Sequence, residues 1–287
     1  MEGKQISIRN LHIEDIPKAM ELVLAEGWNQ TENDWQLFIK NPLNICRAAE
    51  IGGKLVGTTT SINYSNDVAW IGMVLVNKEY REKGISTILL NSVLHELQNF
   101  KSIKLDSTPT GQFVYKKFGF FKEYRILNMV NTSFEGLPNT DFESVPRKVQ
   151  EKDIPAIIEF DKRAFGVNRT HLIQSLVKDY PEKSWMIKRD NKIAGFALGR
   201  TGNKCHRIGP VSAQSLKEAQ ILITYTLKNL SGQPVVIDIP EFKDELIKWL
   251  ISAGFVKQRH FTRMFQNSNP IPGQESLQYV ISGPEFG

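Results

Sequence analysis

Apolar and polar positions alternate from Gln5 to Arg9, a spacing that predicts a first β-strand. From Asp15 to Ala25 the period becomes helical, and Pro17 is tolerated because it falls in the first turn, where no helical N–H is needed. Ile45 to Glu50 and Lys54 to Tyr64 read as a hairpin around Gly52-Gly53. Val68 to Val76 is an unbroken apolar run suited to a central strand. Ile85, Ile88, Leu89, Val93 and Leu97 then mark one face of a helix over Ile85 to Leu97. A short buried strand at Ile103 to Leu105 and a short helix at Phe113 to Phe118, closed by Gly119, precede a returning strand from Phe120 to Val130. The expected order is β-α-β-β-β-α-β-α-β, a mixed sheet with helices on its flanks.

The pattern then repeats. Asp15-Ile16-Pro17 returns as Asp153-Ile154-Pro155, and Gly53-Lys54-Leu55-Val56-Gly57 as Asn191-Lys192-Ile193-Ala194-Gly195, both at an offset of 138 (153 minus 15, 192 minus 54). Gly119-Phe120 and Gly254-Phe255 follow at 135 (254 minus 119). Three matches in one order at nearly one offset point to a duplicated domain. Phe134 to Pro146, FEGLPNTDFESVP, has no sustained period and reads as a linker. The expected division is residues 1–135, residues 145–268, and a tail of residues 269–287 whose apolar run at Tyr279 to Ile281 can add a strand.

Composition narrows the function classes. A chain of 287 residues suits two domains, and 41% apolar with 23% charged residues is ordinary for a globular protein. The net charge of +5 is spread along the chain rather than blocked, which argues against nucleic acid as a partner and suits an anionic cofactor. Cys46 and Cys205 are far apart, and the five histidines show no ligand spacing, so no metal is expected. The polar start MEGKQISIRN and the absence of a run near ~18–20 apolar residues make a cytoplasmic protein with no membrane partner the expectation. Oligomeric state is not readable.

The sharpest chemical signal is Trp70 to Leu90, WIGMVLVNKEYREKGISTILL. A buried strand ends at Val76, and a short loop with Arg81-Glu82-Lys83-Gly84-Ile85-Ser86 leads straight into a helix. A helix start presents N–H groups without intrahelical partners, and these attract phosphate. Gly84 removes a Cβ from the approach, Ser86 is small and polar, and Arg81 and Lys83 add positive charge. The segment is neither a Walker loop nor a dinucleotide fingerprint. It resembles the R/Q-x-x-G-x-G/A pyrophosphate loop of the Gcn5-related N-acetyltransferase (GNAT) superfamily, with Ser86 in the last place. The resemblance implies an α/β (α+β) fold of two tandem GNAT-like domains, each a mixed, mostly antiparallel sheet flanked by helices. It implies acetyl-CoA as co-substrate. The main chain of Val74, Leu75 and Val76 would pair with pantetheine, and N–H groups from Arg81 through Ser86 would hold the pyrophosphate.

Tyr115 to Phe120, YKKFGF, is similar to the superfamily's Y-x-x-x-G-F, which implies that Tyr115 lies near the CoA sulfur as proton donor to the leaving thiolate. Trp28 and Asn29 follow the first helix, where the superfamily builds its acceptor wall. Together with Asp106 they are the candidate acceptor-binding residues. No acid lies on Ile71 to Val76, so the general base is not readable. Asp67 and Asp106 are the nearest carboxylates in sequence. Glu26 to Asn29, Leu105-Asp106, Gly209-Pro210-Val211 and the ending SGPEFG look like bacterial members of the superfamily with a degenerate second domain. Its loop, Ser212 to Ala219, has no glycine or arginine, and Leu250 replaces the tyrosine. Arg169 is either a contact for an acidic substrate or, more simply, a solvated side chain. The expected activity is transfer of acetyl to a small-molecule or protein amine. A longer-chain acyl-CoA N-acyltransferase and a non-catalytic acyl-CoA sensor are the alternatives.

Overall fold

The computed structural model describes residues 5–136, 145–268 and 273–287, so most of the expected linker and the start of the tail lie outside the described residues. The first half runs β1 (Ile6–Asn10), α1 (Ile16–Ala25), α2 (Glu32–Lys40), β2 (Ile45–Ile51), β3 (Lys54–Tyr64), β4 (Val68–Val76), α3 (Ile85–Leu97), β5 (Ser102–Ser107), α4 (Gly111–Lys117) and β6 (Phe121–Asn131). The second half runs β7 (Arg147–Lys148), α5 (Ile154–Phe165), α6 (Thr170–Asp179), β8 (Trp185–Arg189), β9 (Lys192–Thr201), β10 (His206–Ala213), α7 (Leu216–Leu227), β11 (Val235–Pro240), α8 (Asp244–Ser252) and β12 (Val256–Asn267). A last strand, β13 (Gln278–Val280), lies in the tail. Element by element, the second half repeats the first.

The same chemistry begins both halves. Arg9 donates to both carboxylate oxygens of Asp15, at 2.6 and 2.8 Å, and Arg147 does the same to Asp153, at 2.7 and 2.6 Å. Each aspartate also accepts from a main-chain N–H three residues earlier, on His12 and on Gln150. The pair ties the first strand to the start of the helix, with proline in the first turn of α1 and of α5. Glycine in the left-handed region repeats too: Gly119 and Gly254, both at φ 82°, turn the chain out of α4 and α8 into the last strand.

All the strands form one sheet, in the order β1-β2-β3-β4-β5-β12-β6-β11-β10-β9-β8-β7. The halves have exchanged their last strands. β12 pairs antiparallel with β5, β6 pairs antiparallel with β11, and β6 and β12 pair with each other at the centre. The two lobes in space are therefore not the two halves in sequence. Two large apolar clusters fill the interior. One joins α1, α2, α5 and α6 around Trp35, Phe38, Phe160, Phe196 and Phe286, and the other packs α7 and α8 on β9–β11. Helices from both halves share the first cluster, so burial of apolar surface resists their separation. Among the described residues no helix is long and apolar enough to cross a membrane.

Candidate active site

The cleft begins with a fault in the sheet. β3 and β4 are paired through Thr60 and Gly72, then through Thr58 and Leu75, which leaves one extra residue on β4. Met73 absorbs the bulge with φ 51°. On its other side β4 runs parallel to β5 only from Val68 to Trp70, opposite Ser102 to Lys104. Beyond Trp70 the two strands part, and among the described residues no strand pairs there with the main chain of β4 through Val74, Leu75 and Val76. An extended thioester arm can pair with such an edge in the manner of an added strand.

The loop after β4 is shaped for an anion. A single helical turn, Lys78 to Tyr80, leads to Arg81, and Glu82 (φ 65°) and Gly84 (φ 75°) both take left-handed conformations. Gly84 caps α3 with no side-chain bond to the helix, and a Cβ at Gly84 would meet nothing within 4 Å. The first N–H bond into α3 runs from Ile88 to the Gly84 carbonyl, and the N–H groups of the preceding turn have no main-chain partner among the described residues. Lys83 lies over the Tyr80 ring, and Arg81 is ion-paired with Glu26.

The cavity between β4 and β5 measures about 210 Å³. From the first half it is lined by Trp28, Asn29, Gln30, the bulge of β4, Ser86, Asp106 and Tyr115, and from the second by Arg207, Arg259 and Phe261. Pro284 and Glu285 of the tail complete it. Tyr115 sits on α4 with its ring edge-on to Phe120, 5.9 Å between centroids. Its hydroxyl has no hydrogen-bond partner among the described residues, and burial pushes the phenol's pKa upward, so it carries its proton through the neutral range.

Several residues singled out in the sequence have other work. Asp106 is buried in a two-pronged pair with Arg263, at 2.9 and 3.0 Å, so its oxygens are already taken. Asp67 is bound to Lys101 at 2.5 Å, away from the cavity lining. The Asn29 amide clamps a loop of the second half, accepting from the N–H of Lys204 and Cys205 and donating to the Cys205 carbonyl. Trp28 both lines the cavity and packs on the shared core. Arg169 is neither solvated nor free to meet a substrate. It is 3% exposed, pairs with Asp161 at 2.7 and 3.0 Å, and donates to the Gly287 carbonyl oxygen. A buried guanidinium needs that full set of acceptors.

The matching region of the second half differs in three ways. β10 carries the same bulge, between Ile208 and Val211, and parts from β11 after Ile208. There β13 fills the gap, with Val211 opposite Val280 and Ser212 opposite Gln278. The start of α7 is capped by its own Ser215, which accepts from the Glu218 N–H, and the buried Glu218 carboxylate pairs with Arg189 at 2.8 Å. A carboxylate in that first turn sets negative charge at the helix start. Leu250, at the tyrosine position, is fully buried in core.

From β13 the tail crosses to the first cleft. Its carbonyls accept from Arg200 (to Ser282, 2.5 Å), Trp70 (to Pro284, 3.0 Å) and Tyr64 (to Phe286, 2.9 Å), and Phe286 stacks on Phe38. A Cβ on Gly72 would lie 3.3 Å from Glu285 Cα, so the tail runs against the bulge itself. Glu285, 4% exposed, is ion-paired with Arg200, which also holds Asp34 at 3.1 Å. Burial pushes the Glu285 carboxyl up, but Arg200 and Arg207 together pull it further down, and it stays ionised below the ordinary glutamate range. The sequence offered no sign of this arrangement beyond the ending SGPEFG.

Two places where neighbouring strands part, β4 from β5 beside an open loop and β10 from β11 filled by β13, mark a duplicated scaffold. Family models agree: "Acetyltransferase (GNAT) family" matches residues 8–120, and "Acetyltransferase (GNAT) domain" matches residues 157–280. The chain belongs to the Gcn5-related N-acetyltransferase family, as a two-domain member. It is 29% identical to the uncharacterized N-acetyltransferase YitH of Bacillus subtilis, over 96% of this chain and 97% of that one. It is 24% identical to the holothin acyltransferase of a Pseudoalteromonas species, over 91% of this chain and 88% of that one. The crystal structure of a candidate acetyltransferase from Pyrococcus horikoshii superposes with a TM-score of 0.83 at 23% identity, covering 100% of this chain and 97% of that one.

Proposed function

We propose that the chain is an acetyl-CoA-dependent N-acetyltransferase whose one active site is the cleft of β4, β5 and α3. The observation that carries this reading is the free phenol of Tyr115 facing the parted edge of β4, downstream of an open, cationic, Gly84-capped helix start. In this reading the pyrophosphate rests on N–H groups from Arg81 through Ser86. The pantetheine arm pairs with Val74, Leu75 and Val76, and the thioester ends beside Tyr115. The acceptor amine attacks the carbonyl carbon, the C–N bond forms, and the C–S bond breaks. Tyr115 gives its proton to the leaving thiolate, and the proton shed by the amine restores the phenol through solvent. A main-chain N–H of the β4 bulge polarises the carbonyl oxygen. The kinship with enzymes named as acyltransferases supports group transfer over mere acyl-CoA sensing.

The test is release of free thiol from acetyl-CoA and from octanoyl-CoA, assayed against primary amines such as benzylamine, tyramine and a lysine-containing peptide. Amine-dependent release that is faster with acetyl-CoA supports the reading. Preference for the octanoyl donor replaces it with a longer-chain acyltransferase, and the absence of amine-dependent release with either donor overturns it.

A further inference from the structure

The exchange of last strands gives the first cleft a wall from the second half. β12 pairs with β5 from Thr262, opposite Ser107, to Asn267, opposite Ser102. Residues 259–261 therefore run past the end of β5, and Arg259 and Phe261, two apart on one strand, both line the cavity. The guanidinium carbon of Arg259 lies 5.0 Å from the Phe261 ring centroid, so its charge rests on the cavity wall. The charged side chains of the lining are Asp106, Arg207, Arg259 and Glu285. Asp106 is matched by Arg263, Arg207 by Asp238 and Glu285 by Arg200. Arg259 makes no hydrogen bond or ion pair among the described residues. Burial draws its pKa down, and the charge of Glu285 draws it part of the way back. Glu285 itself turns its free oxygen toward Gly283, Arg200 and Arg207. A second cation stands close by. Asn29 fixes the loop of Lys204 and Cys205 by accepting from both N–H groups. Lys204 Nζ lies 2.8 Å from the place a Cβ on Gly27 would take, beside Trp28 of the lining, and has no acidic partner among the described residues. Arg259 and Lys204 both act on the Cys205 thiol, which places them in one neighbourhood.

We propose that Arg259 binds a carboxylate of the acceptor, with Lys204 adding positive charge nearby, so that the substrate is a small amine that also carries an acid. A cation without a counter-charge at a substrate cavity draws anions from solution. The planar guanidinium presents parallel N–H donors that match the two oxygens of a carboxylate. Phe261 and Trp28 offer apolar surface to the body of the molecule between its acid and its amine. With the acid held at Arg259, the amine is left for the β4 bulge and Tyr115, which line the same cavity. The second half, which has no glycine or arginine in its own loop, thereby selects the acceptor for the first. This inference rests on the N-acetyltransferase reading and goes beyond it by naming the class of acceptor and the residue that selects it.

The experiment uses the full chain with acetyl-CoA and two matched pairs of acceptors built on benzylamine. These are 4-(aminomethyl)benzoate with 4-(aminomethyl)benzamide, and the corresponding 3-substituted pair, which sets the acid at a different reach. Each pair keeps its amine and its shape and differs in the charge of the acid. Wild type, Arg259→Gln and Arg259→Lys are compared, with thermal melting and calorimetric acetyl-CoA affinity measured on each. In the wild type the acid of at least one pair should exceed its amide by about tenfold or more in kcat/KM, the size of one charge-assisted pair, with the difference carried by KM. Arg259→Gln should bring that ratio to about one, and Arg259→Lys, which keeps the charge and loses the fork, should lower it in part. Acetyl-CoA affinity should stay within twofold throughout. Arg259 holds no partner, so neither substitution strands one; should Arg259→Gln fail to fold, an unchanged ratio in Arg259→Lys overturns the proposal. A wild-type ratio near one in both pairs, or a ratio that survives in folded Arg259→Gln, overturns it and leaves the acetyltransferase reading intact. Equal losses in acetyl-CoA affinity and turnover would make Arg259 a contact of the donor and also overturn it. Absence of amine-dependent thiol release with these acceptors and with the earlier probe amines overturns both.

Discussion

At the scale of single residues, the account turns on Tyr115. Its hydroxyl bonds nothing among the described residues, so Tyr115→Phe strands no partner and leaves the contact with Phe120 in place. The expected outcome is a loss of ~10²- to 10⁴-fold in turnover, the usual contribution of a general acid. kcat and kcat/KM should fall together, with acetyl-CoA affinity and melting temperature nearly unchanged. A packing residue would give the opposite pattern, a lower melting temperature with full activity in the surviving fold. Tyr115 was readable because Y-x-x-x-G-F is contiguous. Glu285 was not, since the tail that carries it meets β4 only through long-range folding. Arg169 was misjudged for a related reason. A lone arginine after a helix reads as solvated, and its partners Asp161, Ser282 and Gly287 converge only in space.

At the scale of elements, the repeated Arg–Asp pair at the head of each half is the clearest link from sequence to structure. Arg147 holds the Asp153 carboxyl down to about 2, against the opposing push of burial. Because the folded value is depressed, the pair stabilises the fold fully above the ordinary carboxylate range and loses that contribution as pH falls through about 2. Asp153→Asn should cost about 1–2 kcal/mol at pH 7, discounted for the partly exposed arginine. Melting curves of wild type and variant should draw together from about pH 5 downward and meet near pH 1, and a gap as wide at pH 1 as at pH 7 would refute the linkage. Most strands and the helices α1, α3 and α4 follow from their periodicity. α2 and α6 did not stand out. The signal for α2 lay in Thr31 and Asp34, a capping pair ahead of Trp35 and Phe38, in a segment that otherwise reads as an irregular acceptor wall.

At the scale of the whole molecule, the repeat predicted two like halves but not their exchange of β6 and β12. Either strand carries a pattern that suits either sheet, and strand partners far apart in the chain are settled by packing rather than local preference. The exchange makes one continuous sheet, and the tail then distinguishes its two clefts. It plugs one with β13 and lines the other with Glu285. The loss of the second loop's glycine and arginine was visible in Ser212 to Ala219, whereas the plug was foreshadowed only by the apolar run at Tyr279 to Ile281. The most direct test of this account is a calorimetric titration of acetyl-CoA into the wild type and into Gly84→Glu. That substitution sets a carboxylate in the open space above α3 where the pyrophosphate is proposed to rest. One acetyl-CoA should bind per wild-type chain and none to the variant, with the variant's circular dichroism unchanged. Two sites per wild-type chain, or undiminished affinity in Gly84→Glu, would contradict it.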